Sequence, residues 1–329
     1  MAKSVNDAFE EFNNNFVNLD SEETIKARKS RDWLFDNLEN FPSQIDDFPR
    51  LFEGMHNKYG SFARNTKIRP LDDIDLILTF SGDGSTYTTF SYGTSYNIHV
   101  PSKATNLRKL CNDGGVLNSI KLVNKLVSSL NGIEHYKSAE IHRRQEAATL
   151  SLSSYDWTFD IVPAFHTDTD YYLIPDGSGG WKATDPRVDQ NLVTTCNQNY
   201  NGKILQIIRT LKYWNSRALM PTIPSYLFEI IIINYFNSQD EISKWIDINL
   251  KNFWYHLSSK IYGSVNDPKK FQGDINTLSY DEKSKVSEKS KSTYEKAVEA
   301  LRIEIDEKDS RKSIDKWREI FGNDFPKYS

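Results

Sequence analysis

Residues 60–80 read GSFARNTKIRPLDDIDLILTF and combine a polar loop with a strand that carries two carboxylates. The alternation and the apolar end of residues 73–80 predict a β-strand, and Ser-Gly-Asp-Gly at 81–84 predicts the turn that closes it. Asp73 and Asp75 are two residues apart, so their side chains project from one face of the strand and can reach one cation. Two adjacent like charges are costly without such a cation, which indicates a metal site.

A third carboxylate, Asp160, occurs in the β pattern of residues 157–162, where a neighbouring strand could bring it beside Asp73 and Asp75. Three carboxylates that leave positions open for water and phosphate suit Mg²⁺, and Mn²⁺ is a second candidate. We therefore expect these three aspartates to be the catalytic metal ligands. The alternative is that they are structural, because an isolated Asp-x-Asp pair is most often a solvated strand end.

Gly60 and Ser61 supply the features of a phosphate-binding loop. Glycine lets backbone N–H groups come close to an anion, a serine hydroxyl donates a hydrogen bond, and a helix that begins just after them would add its positive end. By itself a Gly-Ser dipeptide is most often an ordinary loop. Followed by the aspartate pair on a strand and by a third aspartate on a later strand, it specifies one known arrangement.

That arrangement resembles the DNA polymerase β-like nucleotidyltransferase superfamily. The motifs GSxxRxTxIxPxxDIDLI, FDIVPAF, LKYWN, SYLFE and WREIFGNDFP look like the bacterial cyclic-oligonucleotide synthases, the CD-NTases related to cyclic GMP-AMP synthase. The resemblance covers nearly the whole chain. It implies an α+β fold, with a mixed-sheet nucleotidyltransferase core and N-terminal helices at 1–184 and a helical nucleotide-binding lobe at 185–329. The active site would lie in the cleft between them.

By the same resemblance, Gly60 and Ser61 bind the triphosphate, while Lys212, Ser225 and Tyr226 contact the phosphates and stack on the base. Lys212 lies about 100° from its neighbour on the apolar stripe of its helix, so its side chain can leave the helix flank toward a cleft. The residues alone also allow a structural interpretation of each position. Lys212 would then be a solvated lysine, Ser225 would be a helix cap, and Tyr226 would be a core residue.

Further polar residues surround these positions. Arg64, Thr66 and Arg69 flank the loop and face either the triphosphate or solvent, since connectors are routinely polar. Asp72 should point to the opposite face of the strand from Asp73, so we expect it not to be a ligand. Arg209, about one turn before the LKYWN lysine, is a weaker candidate cation.

The resemblance implies an enzyme that joins NTPs into a cyclic di- or trinucleotide second messenger and releases pyrophosphate. The product would act in anti-phage (CBASS) signalling and be read by a separate effector protein. We expect a monomer that needs no DNA; base choice, ring size, linkage and the need for an activator protein stay open. The alternative is a template-independent synthase of linear oligonucleotides, or another nucleotidyltransferase that adds tRNA ends or transfers AMP. A non-catalytic module is disfavoured by the three mutually repelling carboxylates.

The composition limits the remaining classes. The chain has 329 residues, enough for about two domains, and its 41 basic and 45 acidic side chains give a net charge of -4. This balance does not support a surface that coats nucleic acid. A mean hydropathy of -0.61 and the lack of a long apolar run exclude a transmembrane helix, and the start lacks a signal-peptide layout. We expect a soluble cytoplasmic protein. Cys111 and Cys196 fit neither a disulfide framework nor a zinc site.

The rest of the chain predicts a mixed core followed by helices. We expect two consecutive helices within residues 5–40, the second capped by Asp20. The other predicted segments are a short helix at 51–58, a helix at 104–130 interrupted near 114, β segments at 140–152 and 155–162, and helices at 203–214, 225–236, 240–262 and 280–321. Pro163 is expected to end the second β segment.

Overall fold

The computed structural model describes residues 2–90 and 94–329. The helices are α1 (Val5–Phe12), α2 (Ser21–Glu39), α3 (Phe41–Gln44), α4 (Gly60–Ala63), α5 (Thr105–Arg108), α6 (Ser119–Asn131), α7 (Pro186–Asn199), α8 (Ile204–Arg217), α9 (Ser225–Asn237), α10 (Ile246–Lys260), α11 (Tyr280–Arg302) and α12 (Ser310–Phe321). The strands are β1 (Asn57–Tyr59), β2 (Asp73–Phe80), β3 (Thr86–Phe90), β4 (Ser95–His99), β5 (Glu140–Arg144), β6 (Ala147–Ser151), β7 (Thr158–His166), β8 (Tyr172–Pro175) and β9 (Trp181–Thr184). In this described part, none of the helices is both long enough and apolar enough to span a bilayer.

One mixed sheet occupies the first half of the chain. Its strand order is β1-β2-β7-β8-β9-β4-β3, and β6 joins β5 to the sheet by pairing with β7. Strands β2 and β7 are parallel, with Asp73 opposite Thr158 and Phe80 opposite Phe165. Strands β1 and β6 run antiparallel to β2 and β7 respectively. Residues opposite one another on adjacent strands project from the same face, so this register decides which side chains meet.

The two faces of β2 have different environments. Ile74, Leu76 and Leu78 are buried in the core that the sheet forms with α2 and α6. Because side chains alternate along a strand, Asp73 and Asp75 project from the opposite face. The apolar face of the strand therefore packs in the core, and the opposite face carries the carboxylates.

A second core lies among the helices that follow the sheet, and α1 packs in it. The ring of Phe12 lies 4.9 Å from the rings of both Tyr213 and Phe321, and the ring of Phe9 lies 4.9 Å from that of Trp317. The first helix thus belongs to the helical core although it precedes the sheet in sequence. The division at residues 1–184 and 185–329 stays a prediction.

Two predicted elements are wrong. Residues 51–58 form no helix: Leu51 bridges to Phe80, and the segment ends in β1. Hydrogen bonds from this segment to the end of β2 replace helical ones, since Phe52 N–H donates to the Thr79 carbonyl at 2.9 Å. Likewise, Pro163 does not end the second β segment, and β7 continues to His166.

The course of β7 explains why the proline is tolerated. Strand β6 pairs with β7 only as far as Ile161, whereas β2 pairs with β7 from Thr158 to Phe165. Pro163 therefore has a neighbouring strand on one side, opposite Leu78, and a free side for its missing N–H.

The other helical predictions are confirmed with shifted ends. Two helices occupy residues 5–39, and the Asp20 carboxylate accepts hydrogen bonds from the Glu22 and Glu23 N–H groups at 2.9 and 3.0 Å. The predicted helix at 104–130 is divided into α5 and α6 with a 3-10 turn between them. The predicted helix at 280–321 is divided at Lys308, which has a φ of 55°.

Candidate active site

Three aspartates meet on one face of β2 and β7. Asp75 lies opposite Asp160 in the parallel pair, and Asp73 lies two residues before Asp75 on the same face. Tyr59 of β1 is opposite Asp75, and Thr149 of β6 is opposite Asp160, so a single row crosses four strands. The pairing of β2 with β7 brings together carboxylates that are far apart in sequence.

These carboxylates repel one another electrostatically. Burial, followed by the charges of Asp73 and Asp160, raises the pKa of Asp75 from 3.8 to about 7. Burial also raises the pKa of Asp73, although Lys67 opposes the rise. Thr149 Oγ1 donates a hydrogen bond of 2.6 Å to Asp160 Oδ1. A cation is the group that most directly relieves repulsion of this kind.

Lys67 lies against the acidic row. Its ammonium donates to both Asp72 and Asp73, and only 13% of its side chain is exposed. Asp72 itself is 66% exposed. The sequence analysis did not single out Lys67, because a lysine in a polar connector is normally solvated, and only the return of the chain from α4 to β2 places it here.

The donor set fits a hard divalent cation such as Mg²⁺, because all three side chains offer carboxylate oxygens. As the side chains stand, however, no three His, Cys, Asp or Glu residues in the described ranges are close enough together to hold an ion. Lys67 pairs with Asp73 Oδ1 and Thr149 with Asp160 Oδ1, so Lys67 competes with a metal for one oxygen of Asp73. The assignment of Asp73, Asp75 and Asp160 as metal ligands stays a prediction.

Gly60 packs directly on Asp75. Its φ is 76°, and a Cβ atom at this position would lie 1.7 Å from Asp75 Oδ2, so no larger residue fits. α4 begins at Gly60, and the first N–H groups of a helical turn have no partner within it. Ser61 follows and is partly exposed. Free backbone donors beside the carboxylates support the predicted triphosphate loop.

A buried carboxylate, Glu229 of α9, connects this loop to the helical half. It accepts hydrogen bonds from Lys212 Nζ at 2.7 Å, from Thr66 Oγ1 at 3.0 Å and from Arg64 Nε at 3.1 Å. Only 2% of its side chain is exposed. Burial raises the pKa of Glu229, but the charges of Arg64 and Lys212 outweigh burial and leave that pKa below its ordinary value.

This network changes the interpretation of three predicted residues. Lys212 is neither solvated nor free at the helix flank, because its ammonium is buried against Glu229. Arg64 and Thr66 turn to Glu229 rather than to solvent. Arg69 instead donates to backbone carbonyls of residues 14, 15 and 18. Glu229 was not among the predicted site residues, although a single carboxylate beside the apolar run at 230–233 indicates a need for buried partners.

Ser225 and Tyr226 begin α9. Ser225 is exposed and is the first helical residue, and the preceding proline is the N-cap, so the capping interpretation of Ser225 is wrong. The Tyr226 hydroxyl lies 2.9 Å from Asp189 Oδ1 and 3.0 Å from Asp267 Oδ1. Lys269 Nζ lies 4.1 Å from the centre of the Tyr226 ring. Tyr226 also packs against the helical core, so its ring is partly buried, and its stacking on a base stays a prediction.

Sequence comparison finds relatives along the full chain. A probable cyclic nucleotide synthase of Bacillus cereus is 47% identical over 336 residues, which cover 100% of this chain and 99% of that protein. A cyclic AMP-AMP-AMP synthase of an Acinetobacter species is 23% identical over 201 residues, which cover 58% of this chain and 56% of that protein. No protein-family model matches the chain.

Solved structures share the fold. Escherichia coli CdnC with ATP superposes with a TM-score of 0.71 at 15% identity and covers 98% of both chains. CdnC in its complex with HORMA-deltaN also gives 0.71, at 16% identity and with 98% of both chains covered. The Vibrio cholerae cyclic AMP-GMP synthase DncV with a linear intermediate gives 0.57 at 14% identity and covers 82% of this chain and 69% of that one.

Proposed function

The chain belongs to the bacterial cyclic nucleotide synthases, the CD-NTases, which are nucleotidyltransferases of the polymerase β-like fold, and we propose that it joins NTPs into a cyclic di- or trinucleotide and releases pyrophosphate. The 47% identity along the whole chain shows the family. The observation that carries the proposed chemistry is the register that sets Asp75 opposite Asp160, with Gly60 packed on Asp75.

In this proposal Asp73, Asp75 and Asp160 hold Mg²⁺, or Mn²⁺, on the open face of β2 and β7. The bound metal supplies Lewis-acid activation of a ribose hydroxyl and neutralises charge on the phosphates. The reacting groups meet at the row of carboxylates. Gly60 packs against Asp75 at this row and so places the triphosphate loop next to it. The N–H groups of Gly60 and Ser61 and the Ser61 hydroxyl orient the triphosphate beside that row.

The helical half contributes the remaining contacts in the proposal. Lys212 and Arg64 provide positive charge near the triphosphate, and Glu229 acts as a positioning residue because it holds both cations. Ser225 is exposed at the start of α9 and can donate to phosphate. Tyr226, whose hydroxyl is fixed by Asp189 and Asp267, stacks on the base with the part of its ring that stays accessible.

We extend the proposal to cellular role. A cyclic product would serve as a second messenger in anti-phage (CBASS) signalling and would be read by a separate effector protein. The complex of the fold neighbour CdnC with HORMA-deltaN supports an expectation that a partner protein binds this chain as well.

The test is product analysis. The purified chain is incubated with four NTPs and Mg²⁺, treated with phosphatase, and its products are identified by mass spectrometry while pyrophosphate is measured separately. We expect a phosphatase-resistant cyclic product, because a ring has no terminal phosphate, and none from the Asp75→Asn variant. Only linear, phosphatase-sensitive products, or transfer only to an added RNA, would assign the chain to the alternative class.

A further inference from the structure

A cavity of about 250 Å³ lies between α2, the segment after α4, and α8. Three cations line it, Arg28 of α2, Lys67 and Arg209 of α8, and no acidic side chain in the described chain does so. Gly60, Ser61 and the three site aspartates are not among its lining residues. Lys67 already pairs with Asp72 and Asp73, so the two arginines give the cavity its uncompensated positive charge, and Gly60 and Ser61 of the proposed triphosphate loop do not line it.

The two arginines have neutral partners only. Arg209 donates from Nε to Asn18 Oδ1 and from Nη1 to the Asn65 carbonyl, both at 2.7 Å. Arg28 donates from Nη2 to Asn65 Oδ1 at 3.1 Å. Neither guanidinium forms an ion pair with a carboxylate in residues 2–90 and 94–329, and burial lowers the pKa of Arg209 from its ordinary value. Arg28 is exposed and Arg209 is partly buried, so the lack of a counter-charge is costly mainly at Arg209, and an anion would lower that cost.

The segment between α4 and β2 separates this cavity from the Glu229 network. Arg64 and Thr66 contact Glu229, whereas Asn65 and Lys67 line the cavity. Alternate residues of the segment thus serve two sites. Lys67 is the shared element, because its ammonium also pairs with Asp73 of the carboxylate row.

We propose that this cavity binds a small phosphate-type oxyanion, such as inorganic pyrophosphate, and that the anion regulates the carboxylate site through Lys67. Guanidinium groups recognise phosphate oxygens by paired charge-assisted hydrogen bonds. The cavity is smaller than the roughly 300 to 1,000 Å³ of sites for drug-sized ligands, so it admits the anion rather than a whole nucleotide.

The coupling follows from competition for one ammonium. An anion in the cavity attracts Lys67 and weakens its pairing with Asp73, which frees Asp73 Oδ1 so that both oxygens of this carboxylate can bind the metal. Metal binding and anion binding then favour each other by linkage. This step rests on the metal site of the proposed function, whereas anion binding does not.

The binding step is tested by calorimetric titration of pyrophosphate into the whole protein in EDTA. We expect Arg28→Gln and Arg209→Gln each to weaken binding by about tenfold or more, on the scale of one lost hydrogen bond to a charged group. Lys29→Gln, an exposed cation on the same helix and outside the cavity, is expected to bind as the parent does.

Unchanged pyrophosphate affinity in both arginine variants, or an equal loss in Lys29→Gln, would overturn the site. Arg28 is exposed, so its substitution keeps the test valid where Arg209→Gln fails to fold. ATP in the same buffer provides the second arm. Binding of ATP that depends on Arg28, without binding of pyrophosphate, would show that the cavity takes a nucleotide's phosphate chain and not the free anion.

The coupling is tested by Mn²⁺ titration, followed by loss of the free-ion EPR signal, in sulfate and in chloride of equal ionic strength. Sulfate is the probe because it is tetrahedral and chelates Mn²⁺ weakly. We expect sulfate to increase the Mn²⁺ affinity of the parent but not of Arg28→Gln. Equal affinities in the two salts would overturn the coupling. Lack of Mn²⁺ binding in both salts would overturn the metal site of the proposed function and leave the pyrophosphate titration to judge the cavity.

Discussion

Two features restrict residue 60 to glycine: its positive φ angle and the Asp75 carboxylate packed against it. Gly54 has nearly the same φ, 78° against 76°, yet a Cβ at residue 54 would meet nothing within 4 Å. A Cβ at residue 60 would overlap the Asp75 carboxylate. A comparison of substitutions at the two glycines therefore distinguishes the effect of backbone strain from the effect of displacing Asp75.

We predict that Gly60→Ala abolishes product formation, because the added methyl group displaces Asp75, whereas Gly54→Ala keeps it. Both substitutions carry the strain of a positive φ, about 1 to 2 kcal/mol, so both should lower the melting temperature. The measurement is product yield per folded protein beside a thermal melt. An active Gly60→Ala enzyme would contradict the contact with Asp75.

We predict that Asp75→Asn stabilises the metal-free protein while it removes activity. The pKa of Asp75 is raised to about 7, so the folded protein binds this proton more tightly than the unfolded chain, whose pKa is near 3.8. Stability therefore falls as pH rises from about 4 to about 7, by at most about 4 kcal/mol at about 1.4 kcal/mol per pKa unit. At pH 8 in EDTA the variant should melt at a higher temperature than the parent.

The control for this melt is Asp156→Asn, an exposed aspartate just before β7 that should change the melting temperature little. Melts at pH 5 and pH 8 show whether the gain of Asp75→Asn grows with pH as expected. A destabilised Asp75→Asn protein at pH 8 would mean that the carboxylate is structural, and an active one would mean that it binds no essential metal.

Helix α9 links the two halves of the site through one carboxylate. The helix is apolar along most of its length, and Glu229 is its buried acid, in contact with Lys212 of α8 and with Arg64 and Thr66 after α4. A buried ion pair adds little stability overall, but removing one partner leaves the others unpaired. Through Glu229, α9 therefore fixes the positions of the Arg64 and Lys212 side chains.

We predict that Glu229→Gln lowers the free energy of unfolding by about 3 to 5 kcal/mol, because it leaves Arg64 and Lys212 buried without a counter-charge. Glu241→Gln, at an exposed glutamate, is the matched control. Urea denaturation measures both. The double variant Glu229→Gln with Lys212→Met should be less destabilised than the sum of its single variants. A Glu229→Gln protein as stable as Glu241→Gln would exclude a buried network.

At the scale of the whole molecule, the first helix stabilises the last ones. Phe12 of α1 is fully buried against Tyr213, Phe321 and Phe325, with ring centres 4.9 to 5.2 Å away. Phe16, one turn later, is 38% exposed. The N-terminus therefore closes the helical core rather than the sheet.

We predict that Phe12→Ala lowers the free energy of unfolding by about 3 to 5 kcal/mol, the cost of a large cavity in a packed core. Phe16→Ala should lower it by less, because much of that ring is already in water. Equilibrium denaturation of the two variants makes the comparison. Equal losses would show that α1 packs differently from the arrangement described.

Local pattern in the sequence determined what depends on local geometry. The alternation of residues 73–80 placed Asp73 and Asp75 on one face of a strand because side chains alternate along any strand, and β2 spans those residues. The helices in the second half of the chain were predicted from the helical spacing of their apolar residues. The motifs also identified the family, and the full-length relative confirms it.

Only the tertiary structure decided which distant residues meet. The register of β2 against β7 sets Asp75 opposite Asp160, and nothing within either segment specifies that register. The partners of Lys212 and Lys67 were missed, because a charge is buried only when other elements bring carboxylates to it. Likewise, residues 51–58 have helical spacing but follow the edge of β2, because backbone hydrogen bonds to a strand outweigh a weak local preference.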